Sequence, residues 1–75
     1  MSEMPLEDFR NLSDQLQEII ILQKGSFIDS KNREGKILAL YDLYDFFVEV
    51  TFEMVQKRIT CIQMLEEDEK IKKWK

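Results

Sequence analysis

Polar residues recur along the C-terminal half of the chain at spacings typical of one face of an α-helix. They are 3, 4, 4, 3, 4 and 3 residues apart, and at ~100° per residue they fall within roughly 80° of one another. The series consists of Asp42, Asp45, Glu49, Glu53, Gln56, Thr60 and Gln63. Large apolar residues occupy most positions between them. The pattern therefore predicts one long helix over residues about 36–68 with a narrow polar strip.

The N-terminal third predicts a shorter amphipathic helix over residues about 5–24. Pro5 suits the first helical position, and Lys24 followed by Gly25 suits a helix end. One face carries the apolar residues Leu6, Phe9, Leu12, Leu16, Ile19 and Ile20. Residues 25–35 are bounded by glycines and mostly polar, so we predict a connector. Residues 69–75 leave the apolar pattern and are expected to fray.

A strand is the alternative for residues 48–54. Val48, Val50, Phe52 and Met54 alternate with Glu49, Thr51 and Glu53 in period two, as in a half-buried strand. That alternation covers seven residues, whereas the helical strip covers more than twenty. No second segment offers an obvious pairing partner. The sequence therefore favours the helix.

The apolar arc of the long helix spans about 240°, which is wider than one neighbouring helix covers. We therefore predict an all-α fold for residues 1–75 as a single helical domain: a two-helix antiparallel hairpin with a long second helix. Two copies would assemble as a dimeric four-helix bundle, although helices of a different protein would serve equally. The residues expected at this interface are Tyr44, Phe47, Val48, Val55, Ile59 and Ile62.

Composition narrows the classes of function. The chain has 75 residues, of which 44% are hydrophobic and 35% charged, which suits one small folded domain. The net charge is −4, which argues against direct nucleic-acid binding because phosphates are bound mainly by lysine and arginine. The apolar stretch at 37–55 is interrupted by four carboxylates. Each would cost ~2.5–3.5 kcal/mol at a bilayer centre, so we predict no membrane span.

The reactive side chains are few. The chain has no histidine and a single cysteine, Cys61, so neither an intrachain disulfide nor a zinc site is expected. No motif for a nucleophile with its base is present. We therefore predict a non-enzyme with no cofactor and no metal. A lone thiol, together with an N-terminus that lacks the basic-then-apolar order of a signal peptide, predicts a cytoplasmic protein.

Two functions remain open. The first is a small non-catalytic protein–protein interaction module (an adaptor, co-chaperone or regulatory subunit) that acts as a homo-oligomer through the apolar surface of the second helix. The second is an acidic inhibitor of the immunity or antitoxin type, which would bind a basic protein through Asp42, Asp45, Glu49 and Glu53. The acidic strip could equally be a solvated face that keeps an apolar helix soluble.

Overall fold

The computed structural model describes residues 4–74 and shows a small α+β fold, with a four-stranded sheet between helices. Two helices come first, four strands follow, and one helix ends the chain. The elements are α1 Leu6–Arg10, α2 Asp14–Lys24, β1 Ser26–Arg33, β2 Lys36–Leu43, β3 Phe46–Glu53, β4 Arg58–Leu65 and α3 Glu67–Lys73.

The sheet is an antiparallel meander in which each strand pairs with the next along the chain, in the order β1-β2-β3-β4. β3 lies in the interior: Val48 pairs with Tyr41 of β2 on one side and Met64 of β4 on the other. β1 and β4 are the two edges. Each edge strand contains an irregularity, between Phe27 and Asp29 in β1 and opposite Thr51 and Phe52 in β4.

Three tight turns connect the strands, and each contains a residue in the left-handed region. Glu34 and Gly35 form the first, with φ of 53° and 81°. Tyr44 in the second has a φ of 57°, and Lys57 in the third has a φ of 58°. These values match the twist that short hairpin loops require, although side chains other than asparagine and glycine adopt them at a cost.

Replacing Glu34 by asparagine is expected to stabilise the protein. Asparagine–glycine is the preferred pair for a two-residue hairpin loop with positive φ at both positions. We expect a gain of about 0.5–1 kcal/mol, which raises Tm by roughly 3–6 °C for a domain of this size. Thermal denaturation followed by circular dichroism measures the shift. Asp42→Asn, at an exposed strand position, removes the same charge and should give no gain; an equal gain there would contradict the backbone explanation.

The face of the sheet that α1 and α2 cover, here called the α1–α2 face, holds the larger core. Phe9 of α1 and Ile21 of α2 pack against side chains from β2 and β3. The rings of Phe9 and Phe46 have centroids 5.5 Å apart. Every second residue of β3 points to this face, as a strand requires. The buried strand residues are Leu43, Phe46, Val48 and Val50.

The opposite face, here called the α3 face, holds a smaller core. Trp74, directly after α3, packs with Leu40 and Leu65, and Leu38 and Phe47 lie against them. Trp74 is 8% exposed. Because helices cover both faces, β2 is apolar at the consecutive positions 37–41 and does not alternate as a one-sided strand would, whereas β3 alternates at residues 48–53.

The prediction of an all-α hairpin and a four-helix bundle is wrong. Residues 36–65 form β2, β3 and β4 instead of one long helix. Three members of the polar strip, Asp45, Gln56 and Thr60, lie in turns or at the irregularity of β4. By the strand register, the other four project from the α3 face: Asp42, Glu49, Glu53 and Gln63. The strip therefore arose from turns and one face of a sheet.

The remaining boundaries also differ. The first predicted helix is divided at residues 11–13 into α1 and α2, and Ser13 caps α2 by accepting a hydrogen bond from the Leu16 backbone N–H. α2 does end at Lys24. However, Gly25 has the extended backbone conformation (φ −77°, ψ 148°) and not the left-handed one that glycine often adopts at a helix end. A Cβ at Gly25 would lie 2.6 Å from the Ile21 carbonyl oxygen. The predicted connector is mostly β1, and the tail expected to fray, residues 69–75, carries most of α3.

Candidate functional site

The outer side of β4 borders a groove that α2 closes on its other side. Four consecutive β4 residues, Ile59 to Ile62, line one wall. Asp14 and Glu18 of α2 line the other. The groove encloses about 230 Å³, which is less than the 300–1,000 Å³ typical of small-molecule pockets.

The wall made by β4 is a strand edge. β4 is last in the sheet order and pairs only with β3, so its outer backbone N–H and C=O groups have no strand partner among residues 4–74. Thr51 pairs with Cys61 while the next residue, Phe52, pairs with Ile59. Thr60 is thus an extra residue. Such bulges bend a strand and are common at sheet edges and next to functional sites.

The wall made by α2 is acidic. Asp14 is the first residue of α2 and Glu18 follows one turn later, so both project from the same side of the helix. The cap at Ser13 fixes where the helix begins, and therefore where these carboxylates lie. A free edge facing two carboxylates presents backbone hydrogen-bonding groups together with negative charge. Sequence reasoning missed Asp14 and Glu18 as a site because they belong to an ordinary solvated helix face.

The predicted interface residues do not form one surface. Val48 is fully buried in the core, and Tyr44 packs at the core margin in the second turn. Phe47 lies on the opposite, α3 face, whereas Val55 is 85% exposed in the third turn. Ile59 and Ile62 pack against the α1–α2 core and also line the groove. Only these two of the predicted six reach the candidate site.

The predicted acidic residues are also dispersed. Asp42 and Asp45 are exposed, on β2 and in the second turn. Glu53 lies at the end of β3 and is partly exposed. Glu49 is only 4% exposed, in the middle of the α3 face. No continuous acidic strip joins the four.

Glu49 is held by the C-terminal segment. Its Oε2 accepts a hydrogen bond from the Trp74 indole N–H at 3.1 Å, and its Oε1 accepts one from the Lys73 ammonium at 3.0 Å. Lys73 also donates to Gln63 Oε1 at 3.1 Å. Lys31 of β1 donates to the Lys73 carbonyl, and its ammonium lies 4.6 Å from the centroid of the Trp74 ring. These contacts fasten α3 to the sheet. The sequence contains no sign of these contacts, since residues 69–75 leave the apolar pattern and are expected to fray.

Two general features bear on function. Within residues 4–74, no group of three or more histidine, cysteine, aspartate or glutamate side chains is arranged to hold a metal ion. Over the same residues, no helix is long and apolar enough to cross a bilayer.

The fold and groove define a small α+β domain with an open sheet edge beside an acidic helix. Comparisons with protein-family models, with curated proteins and with solved structures give no match.

Proposed function

We propose that this protein is a non-catalytic protein–protein interaction module that binds an extended, basic segment of a partner protein along β4. The segment would lie in the groove between β4 and α2 and add a fifth strand to the sheet. Strand addition of this kind uses backbone hydrogen bonds for affinity and side-chain pockets for specificity. The roles that fit are adaptor, co-chaperone or regulatory subunit.

The observation that carries the proposal is the position of a strand edge inside a groove. Exposed edges attract any extended chain, and proteins usually cover or distort them. Here α2 runs beside the edge without covering it, and leaves a channel lined by Ile59, Thr60, Cys61 and Ile62. An extended chain that paired with β4 would therefore lie between the strand edge and α2.

Charge indicates the chemistry of the segment. Asp14 and Glu18 stand on the α2 wall, so a lysine or arginine in the bound strand would have a carboxylate opposite it. The net charge of −4 adds a long-range attraction for basic partners. Such complementarity raises association rates and excludes acidic competitors. A basic partner, one of the possibilities that the sequence left open, is therefore proposed again. The carboxylates that would bind it are now Asp14 and Glu18.

A cytoplasmic location agrees with this proposal. Cys61 has an exposed thiol at the groove, and free exposed thiols are usual where the environment is reducing.

Binding of a model peptide tests the proposal. The probe is a fluorescein-labelled six-residue peptide of alternating lysine and valine, titrated with the purified protein at low salt and followed by fluorescence anisotropy. We expect saturable binding that weakens as salt is added, because the charge contribution is screened. The double variant Asp14→Asn with Glu18→Gln should weaken binding roughly tenfold, equivalent to about 1.4 kcal/mol.

Matched controls separate groove binding from general attraction. The double variant Glu7→Gln with Asp8→Asn removes the same charge from exposed positions on α1 that do not line the groove. Its affinity should change less than twofold. A peptide methylated at alternate backbone nitrogens keeps its charge but loses strand hydrogen bonds, and should not bind. Equal loss in both double variants, or equal binding of the methylated peptide, would refute strand addition at β4.

A further inference from the structure

The other edge of the sheet has different properties. β1 is first in the sheet order and pairs only with β2, so its outer edge has no strand partner among residues 4–74. It runs for eight residues. Two of its apolar side chains are exposed: Phe27 at 60% and Ile28 at 42%. An eight-residue strand with exposed apolar side chains at a sheet edge is a site for pairing with another strand.

The first turn shows which backbone groups point outward. Glu34 and Gly35 form a two-residue loop, and the residues that flank such a loop, Arg33 and Lys36, exchange both backbone hydrogen bonds. Positions alternate from there, so Asn32 and Ser30 direct their backbone N–H and C=O groups away from β2. The Ser30 N–H accordingly donates to the side chain of Asp29, at 2.8 Å, and not to the sheet.

The charged residues of β1 would be complementary to those of a second β1 strand lying antiparallel to it. Asp29 and Lys31 flank Ser30 and pair with Leu40 and Leu38, so both project from the α3 face. If a second β1 ran antiparallel with Ser30 opposite Ser30, each Asp29 would lie opposite the other copy's Lys31. Centring the pair on Asp29 or on Lys31 instead would place like charges opposite each other, which is unfavourable.

We propose that β1 pairs with β1 of a second copy of this chain, antiparallel and centred on Ser30, to form a continuous eight-stranded sheet. The two-fold axis makes the contact closed, since each copy uses the same edge. Two ion pairs between Asp29 and Lys31 set the register, with each Lys31 ammonium turning from the Lys73 carbonyl to the partner's carboxylate. The Ser30 N–H exchanges the Asp29 side chain for a backbone carbonyl. The β4 edges remain at the two outer ends, so this inference does not depend on what β4 binds.

Charge exchange between two variants tests the pairing. Asp29→Lys alone gives each copy two positive charges at the contact, and Lys31→Asp alone gives each copy two negative charges. Either variant should dimerise at least tenfold more weakly than the unmodified protein by sedimentation velocity. An equimolar mixture should form the heterodimer, because both lysines of one copy then lie opposite the two aspartates of the other. The dissociation constant of the mixture should return to within about threefold of the original.

Two further arms keep the test decisive. Ser30→Pro removes the outward N–H, and proline is tolerated on the outer side of an edge strand, so this variant should remain folded and monomeric. Fluorescence of Trp74, the single tryptophan, confirms the fold of each variant, which matters for Lys31→Asp because Lys31 contacts that ring. An unmodified protein that is monomeric at several hundred micromolar, or a mixture no tighter than its components, would overturn the proposal.

Discussion

Replacing Phe9 by alanine is expected to bring the protein close to complete unfolding. Phe9 is fully buried, its ring packs on that of Phe46, and its backbone carbonyl accepts a hydrogen bond from the buried Gln17 side chain at 2.9 Å. Truncating a buried phenylalanine costs about 3–5 kcal/mol. Domains of this size have roughly 4–11 kcal/mol of stability in total. The loss would also detach α1, since Phe9 is its only buried residue.

Urea denaturation followed by circular dichroism measures this loss. Phe9→Leu is the matched control, because it keeps most of the apolar volume and should cost about 1–1.5 kcal/mol. The fluorescence of Trp74 reports separately on the opposite face of the sheet. A Phe9→Ala variant whose urea midpoint stays within the range of Phe9→Leu would show that α1 contributes little to the core.

Replacing Trp74 by alanine is expected to release α3 and to lower the free energy of unfolding by about 3 kcal/mol, the lower end of the range for a buried tryptophan. The change removes the contacts with Leu40 and Leu65. It also leaves the buried Glu49 carboxylate without one of its two donors. Loss of such a partner from a buried charged group adds to the cost. Urea denaturation followed by circular dichroism measures this change.

Two milder variants divide the effect between packing and hydrogen bonding. Trp74→Phe keeps an aromatic ring but lacks the N–H that donates to Glu49, and should cost about 1–2 kcal/mol. Glu49→Leu removes both the acceptor for the indole and the ion pair with Lys73. If both single changes remove the same hydrogen-bonded unit, their double variant should cost less than the sum. Strict additivity would contradict a direct Glu49–Trp74 bond.

The long-helix prediction failed because the usual signals of strands are weak in this sequence. Alternation was visible only at residues 48–54, which do lie largely in β3. β2 has apolar residues at consecutive positions 37–41, because the α1–α2 core and the α3 core lie on its two faces. A strand covered on both sides loses the period-two pattern. The sequence therefore does not reveal β2 as a partner of β3, and in β4 the extra residue Thr60 interrupts the alternation.

The turns were equally hard to recognise. The strongest sequence signal for a hairpin is asparagine or aspartate followed by glycine. This chain has Glu34–Gly35 in the first turn and Tyr44–Asp45 in the second, and no glycine lies in the third. Tyr44 and Lys57 adopt left-handed conformations although these residue types rarely do. Nothing in the sequence of residues 36–68 therefore indicates where the turns lie.

The sequence by itself determined the local features of this protein: a helix ending at Lys24, the excess of acidic residues, and the isolated thiol of Cys61. These depend on neighbouring residues and on composition. Only the tertiary structure decided that residues 36–65 are strands, that Glu49 is buried under Trp74, and that Asp14 and Glu18 face the edge of β4. The reason is that an apolar segment gains free energy from whatever surface buries it, and here helices packed on both faces of the sheet provide that surface.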